Sequence, residues 1–328
     1  MSTDLIYRIR PASPHAHLFQ VEIDIPATIG VDSLLLSMPA WIPGSYMIRD
    51  FARNLLTLSA QTVEGQVLSC SKLDKQTWTC APACGPIKVS YQVYAWELSV
   101  RTAHLDATHA YFNGPSLLLR VRGLEDRPCL VELLPPEDGR GGDWRVATSL
   151  QPVTLDLRGF GIYRADDYED LIDHPVEIGR WDEIAFDVGG VPHRMVISGR
   201  HQADRTKIAT DLPRICAEHA GLFGDLPIDR YLFLVTAVGE GYGGLEHRFS
   251  TSLICTRHDL PHVTDEKPSE GYLRFLGLCS HEYFHLWNVK RIRPQALVDV
   301  DLEKEVHTRT LWAFEGITSY YDELALVR

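Results

Sequence analysis

No run of eighteen apolar residues occurs in the 328-residue sequence, so it holds no segment with the length and hydropathy of a membrane-spanning helix. The stretch Met1 to Arg8 lacks the basic residues and following apolar run of a secretory signal, and a cytoplasmic location is expected, with no membrane partner. Positive charge is also scarce: 32 Lys and Arg stand against 44 Asp and Glu, a formal net charge of −12. Phosphate binding wants a basic face, so nucleic acid is excluded as the main partner. Internal repeats and low-complexity tracts are missing, and the glycine-rich stretch 138–143 reads as a polar loop, because no helix signal follows it to form a phosphate cradle. The seven cysteines are scattered. Cys80 and Cys84 have no second pair at metal-binding spacing, so reduced structural thiols are expected throughout.

What is present is ordinary in bulk and specific in places. At 45% hydrophobic and 23% charged residues, a chain of this length can bury a large core and is expected to split into about two domains. The first half alternates with period two. Phe19, Val21, Ile23 and Ile25 alternate with Gln20, Glu22 and Asp24, and a second alternating run starts at Ile87, Val89 and Tyr91. Shorter apolar runs at 34–36, 55–58, 117–121 and 130–134 fit a sandwich of antiparallel strands. The Pro43-Gly44 turn, flanked by Trp41 and Tyr46, either packs on that sandwich or shapes a cleft. Past an acidic stretch at 164–170 the pattern changes. A strand at 194–198, a helix at 206–219 interrupted by Pro213, a continuous apolar strand at 231–238, a glycine-rich stretch at 239–247 and another strand near 252–255 make an α+β layout.

The chemistry concentrates at His281-Glu282-Tyr283-Phe284-His285. On a helix, residues four apart share a face, so His281 and His285 can offer imidazole nitrogens to one zinc ion while Glu282 adjoins the water position. Zinc lowers the pKa of water, and the adjacent carboxylate can take its proton and later pass it to a leaving amine. Three fixed letters arise by chance in roughly three or four of a hundred shuffled sequences, so context must decide against two surface histidines on a helix. Ser269 is placed to cap that helix, Tyr272, Leu276, Cys279, Tyr283 and Leu286 stripe it, and Lys290, Arg291 and Arg293 stand at its end before Pro294 stops it. A catalytic zinc needs a third protein ligand and an open position. Of Glu303, Glu305, His307 and Glu315, the first two lie in an acidic stretch that reads as surface charge. Glu315 sits in an apolar helical segment where an unpaired carboxylate is costly, and it is the chosen ligand.

The stretch His281 to Pro294, with Leu311-Trp312-Ala313-Phe314-Glu315-Gly316-Ile317-Thr318, resembles the glycyl aminopeptidase family of gluzincin metallopeptidases, family 61. The resemblance extends to 41–46, 73–78 and 243–247, and so over nearly the whole chain. It implies an N-terminal antiparallel β-sandwich-like domain, placed at 1–168, and a thermolysin-like catalytic domain at 169–328. One zinc ion is implied on His281, His285 and Glu315, with Glu282 as general base. Gly243-Gly244-Leu245-Glu246-His247 is similar to the exopeptidase strand of the related aminopeptidase N family, which implies that Glu246 binds the free α-amine of a peptide substrate. A carboxylate suits an ammonium group, and Gly243 and Gly244 let a peptide backbone lie close.

Family members usually continue into more catalytic domain and a PDZ domain, so a chain ending at Arg328 is expected to be a truncated member. The function implied is removal of small N-terminal residues, Gly or Ala, from peptides. The alternatives are an endopeptidase of the same fold and a catalytically impaired peptide-binding module.

Overall fold

The computed structural model describes residues 4–27, 33–137 and 141–328; the start of the polar loop at 138–143 lies outside the described residues. Two compact units divide the chain, Met1–Gly179 with Asp301–Glu305, and Arg180–Val300 with Val306–Arg328. Among the described residues no helix is long and apolar enough to cross a membrane.

The first unit is built from the expected alternation. Strand Leu18–Ile25 buries Phe19, Val21, Ile23 and Ile25 and turns the residues between them outward. It pairs antiparallel with Leu5–Ser13 and with Ile87–Tyr94 inside an eight-stranded sheet, accompanied by two four-stranded sheets. One pairing departs from the antiparallel expectation: Leu5–Ser13 runs parallel to Cys129–Leu133. The apolar run at 117–121 is a strand only at Arg120–Val121. Leu117–Leu119 follow a 3₁₀ turn, and side chains serve their backbone groups. Tyr7 and Tyr91 hydroxyls donate to the carbonyls of Leu119 and Leu117 at 2.9 and 3.0 Å, and Leu119 N–H donates back to the Tyr91 oxygen.

Two sequence expectations change here. Cys70 and Cys80 are register partners on adjacent antiparallel strands, with Cα atoms 4.1 Å apart, and they form a disulfide rather than two thiols. Cys129, Cys216, Cys255 and Cys279 are free and buried, as expected of structural thiols, while Cys84 is exposed. Glu303, read as surface charge, is largely enclosed, with its two carboxylate oxygens held by Arg120 and Arg122. Trp41 packs beside the same segment, donating its indole N–H to Asp301 O, and Ala40 N–H donates to Leu302 O, which anchors the chain entering the Pro43-Gly44 turn. Removing Glu303 as Ala leaves two guanidinium groups facing one another without their shared partner. Its expected cost is about 1–3 kcal/mol, measurable as a lower urea midpoint for the full chain.

The second unit is a five-stranded sheet with helices. Trp181–Val188 and Val191–Gly199 form an antiparallel pair, and Val191–Gly199 then runs parallel to Tyr231–Val238 through the helix Arg205–Phe223. That helix continues past Pro213 and beyond the expected end at His219. Tyr231–Val238 lies parallel to Ser250–Thr256, and the short strand Gly243–Glu246 pairs antiparallel with the latter at the sheet edge. Met195, Ile197, Phe233 and Val235 from the sheet pack with Ile208 and Leu212 from one helix and Tyr272, Phe275 and Tyr283 from another.

Candidate active site

Helix Glu270–Phe284 carries the histidine motif. Its first turn is capped as the sequence implies, Ser269 Oγ accepting from Tyr272 N–H at 3.1 Å, and Tyr272, Cys279 and Tyr283 are fully buried along one face. The helix ends at Phe284, well before Pro294. Leu286 and Trp287 bond back three residues, to Tyr283 and Phe284, and His285 Nδ1–H donates to Asn288 O at 2.8 Å, which turns the chain away. Arg291 keeps the role expected of it, its guanidinium donating to Leu286 O at 3.0 Å among the last carbonyls.

Glu315 approaches from a different kind of helix. Residues Trp312–Gly316 form a π turn that runs into the α-helix Ile317–Val327. A π turn adds a residue to the helical circuit and loosens its hydrogen bonding, and a partner from outside compensates. Here Asn288 Nδ2 donates to Ala313 O at 2.9 Å and to Thr318 Oγ1 at 3.2 Å, while Thr318 Oγ1 donates to Phe314 O at 2.6 Å. The apolar surroundings inferred for Glu315 are only partly there: its side chain is 37% exposed and Trp312 is 70% exposed. What governs Glu315 is its aim. One carboxylate oxygen lies 3.3 Å from His281 Nε2 and 3.8 Å from His285 Nε2.

Both Nε2 atoms are free to converge because both Nδ1 atoms are committed elsewhere. His285 Nδ1 is on Asn288 O, and His281 Nδ1–H donates to Asp322 Oδ2 at 2.7 Å. This carboxylate–imidazole pairing orients a metal-binding histidine and raises its basicity. Asp322 was not found from the sequence, although it stands seven residues, two helical turns, beyond Glu315 on the same face. Ser280 ties the two helices further, its hydroxyl donating to Asp322 O at 3.0 Å and accepting from His219 Nε2 at 2.8 Å.

The cluster is strongly negative around its imidazoles. Glu246, Glu282 and His285 are buried with ligand atoms within 4.8 Å of one another, and His281, His285 and Glu315 form a second such group sharing His285. Burial opposes charge on His281, yet its hydrogen bonds to Asp322 and Glu315 and the nearby Glu282 push its pKa up to about 10. A positive charge is therefore favoured where these donors meet, and two imidazoles with a carboxylate are a donor set for zinc. The residues present fit such an ion.

Gly243 and Gly244 lie on the edge strand, with Glu246 at its end. A side chain at Gly244 would overlap the Glu282 carboxyl group, so the absent Cβ makes room for Glu282 itself, a constraint the sequence did not disclose. Tyr242, just before this strand, was also missed. Burial raises its pKa, with Asp322 and Glu282 adding to the effect, so its phenol stays protonated. Tyr320 is 64% exposed, and Tyr321 stacks on Phe284 with ring centroids 5.4 Å apart.

This fold is that of the zinc metallopeptidases. An M1 zinc metallopeptidase from Deinococcus radiodurans superposes with a TM-score of 0.54 at 14% identity, over 97% of this chain and 68% of that one. A variant from the same organism, solved with a Tyr-Ser-Ala substrate, matches with a TM-score of 0.54 at 12% identity, over 98% and 69%. Residues 6–180 match the Peptidase M61 N-terminal domain and residues 274–328 match the M61 glycyl aminopeptidase. An aminopeptidase N family protein from Idiomarina loihiensis matches at 42% identity with a TM-score of 0.95, over 98% of this chain and 54% of that one. The chain belongs to peptidase family M61, and it spans about half the length of that relative. No curated protein matches.

His219 makes the helix pairing sensitive to acid. Burial lowers its pKa from 6.5 to about 4, so the folded state binds fewer protons than the unfolded chain between those values. Stability is complete above about pH 6.5 and is lost as pH falls toward 4, by up to about 3 kcal/mol. His219→Gln can still donate to Ser280 and is expected to flatten this part of the profile, read from urea midpoints between pH 7 and 4.5.

Proposed function

We propose that the chain is the zinc-dependent catalytic part of an aminopeptidase that removes small N-terminal residues, Gly or Ala, from peptides. The observation that carries this reading is the gathering of His281, His285 and Glu315 beside Glu282, with Glu246 against the same cluster. One zinc ion held by His281, His285 and Glu315 would supply Lewis acidity toward water and a peptide carbonyl. Glu282 takes the proton of the attacking water and delivers it to the leaving amine. Glu246 receives the substrate's α-ammonium group and so sets the cut one residue from the N-terminus. Strand Gly243–Glu246 lies at the sheet edge, where an extended peptide backbone can align, and Gly244 leaves Glu282 its place. The preference for Gly and Ala rests on the glycyl aminopeptidase family match. The cytoplasmic location belongs to this reading as well. A reducing compartment is expected to open the Cys70–Cys80 disulfide, and thiol counting on protein extracted under trapping conditions tests the location.

Glu282→Gln is expected to retain zinc and to lose at least about 10²-fold in release of Gly or Ala from short peptides. Stoichiometric zinc without turnover, in this chain and in any longer form of the protein, would sink the catalytic reading, and absence of zinc would sink the whole of it. Acetylating the substrate amine should abolish cleavage, and Glu246→Gln should raise KM more than it lowers kcat; continued cutting of acetylated peptide would mark an endopeptidase. Peptide binding that persists after chelation, without turnover, would mark a binding module. Asp322→Asn is expected to weaken zinc about 10–100-fold. Gly244→Ala, which pushes Glu282 aside, is expected to lower kcat by on the order of 10² with zinc content unchanged.

A further inference from the structure

The first unit carries a second cluster of metal-binding type, remote in sequence from the histidine motif. Strands Ala103–Leu105 and His109–Phe112 form a hairpin, closed by Asp106 N–H donating to His109 O at 3.0 Å. Alternation puts His104 and Asp106 on one face, and Asp106 lies across from His109, so the three side chains of His104-x-Asp106-x-x-His109 gather together. One ligand atom from each lies within 4.8 Å of the others. His104 Nε2 is 3.3 Å from Asp106 Oδ2, and His109 Nδ1 is 3.7 Å from Asp106 Oδ1. Ligands about 2.0–2.1 Å from one tetrahedral cation stand roughly 3.3–3.5 Å apart, close to these two His–Asp separations.

Each group is held in place by its neighbours. Asp106 Oδ1 accepts from Thr108 N–H and Oγ1 at 2.6 Å each and from His109 N–H at 3.0 Å, which leaves Oδ2 to face His104. Trp96 stacks on His104 with centroids 5.1 Å apart and on His17 at 3.9 Å, clamping the imidazole plane. Gly179 has no Cβ because one there would stand 2.8 Å from the His109 Cβ. His104 is 4% exposed, and His104 Nδ1 and His109 Nε2 are buried without a hydrogen-bond partner among the described residues.

We propose that His104, Asp106 and His109 form a second metal site, which takes a divalent transition-metal cation of the zinc type and fastens the hairpin. Two imidazoles and one carboxylate select zinc, copper or nickel over magnesium or calcium. The test strips the full chain of metal, re-equilibrates it with Zn²⁺ and, separately, Co²⁺, and counts bound metal after dialysis. Wild type should hold two equivalents, His104→Ala and Asp106→Asn one, and a His281→Ala/His285→Ala double variant one. Asp106→Asn keeps an oxygen acceptor for the turn, so loss of metal there is not a folding defect, and circular dichroism verifies each variant. A single equivalent in wild type that is lost with His104→Ala supports this site and counts against zinc at His281. Two equivalents retained by His104→Ala, one equivalent lost only with the His281 and His285 variant, or no binding at all would overturn the proposal.

Discussion

The candidate site depends on a hydrogen bond that touches no reacting atom, from His281 Nδ1–H to the Asp322 carboxylate. It turns the other imidazole nitrogen toward Glu315, draws the C-terminal helix onto the motif helix, and adds a negative charge beside an imidazole that burial alone would keep neutral. The companion bond from His285 to Asn288 O does the same for the second imidazole, and the Asn288 side chain steadies the π turn that carries Glu315. Asp322 thus orients His281, while Asn288 orients His285 and secures the segment that faces both.

The price of this convergence is electrostatic. Glu246, Glu282, Glu315 and Asp322 surround two imidazoles, and Glu246, Glu282 and His285 are nearly inaccessible to solvent. Like charges at such distances destabilise one another unless a cation lies among them. A protonated His281 supplies part of that charge, and a divalent ion on the same donors would supply more. Gly244 shows the steric side of the same crowding, since no side chain fits there without displacing Glu282.

Much of this was legible in the sequence because it depends on local periodicity. Four-residue spacing places His281 and His285 together on any helix, and Ser269 caps that helix through its own backbone three residues on. Strands such as Leu18–Ile25 and Tyr231–Val238 declare themselves by alternation or by an unbroken apolar run. Readings failed where a residue's partner was distant in sequence. Glu303 looked solvated until Arg120 and Arg122 enclosed it, Cys70 and Cys80 became partners only through strand register, and Leu117–Leu119 exchanged a sheet ladder for tyrosine hydroxyls.

The sequence alone determined the chemical types at the site and the helix that presents the two histidines, because those follow from side-chain identity and a fixed helical repeat. Tertiary structure decided which carboxylates meet them, and in which orientation. A π turn aims Glu315, Asp322 arrives two turns later to fix His281, and Gly244 proves to be space for Glu282 rather than only room for a peptide. Each of these is a relation between segments tens of residues apart, and no local pattern encodes the angle at which two such segments pack.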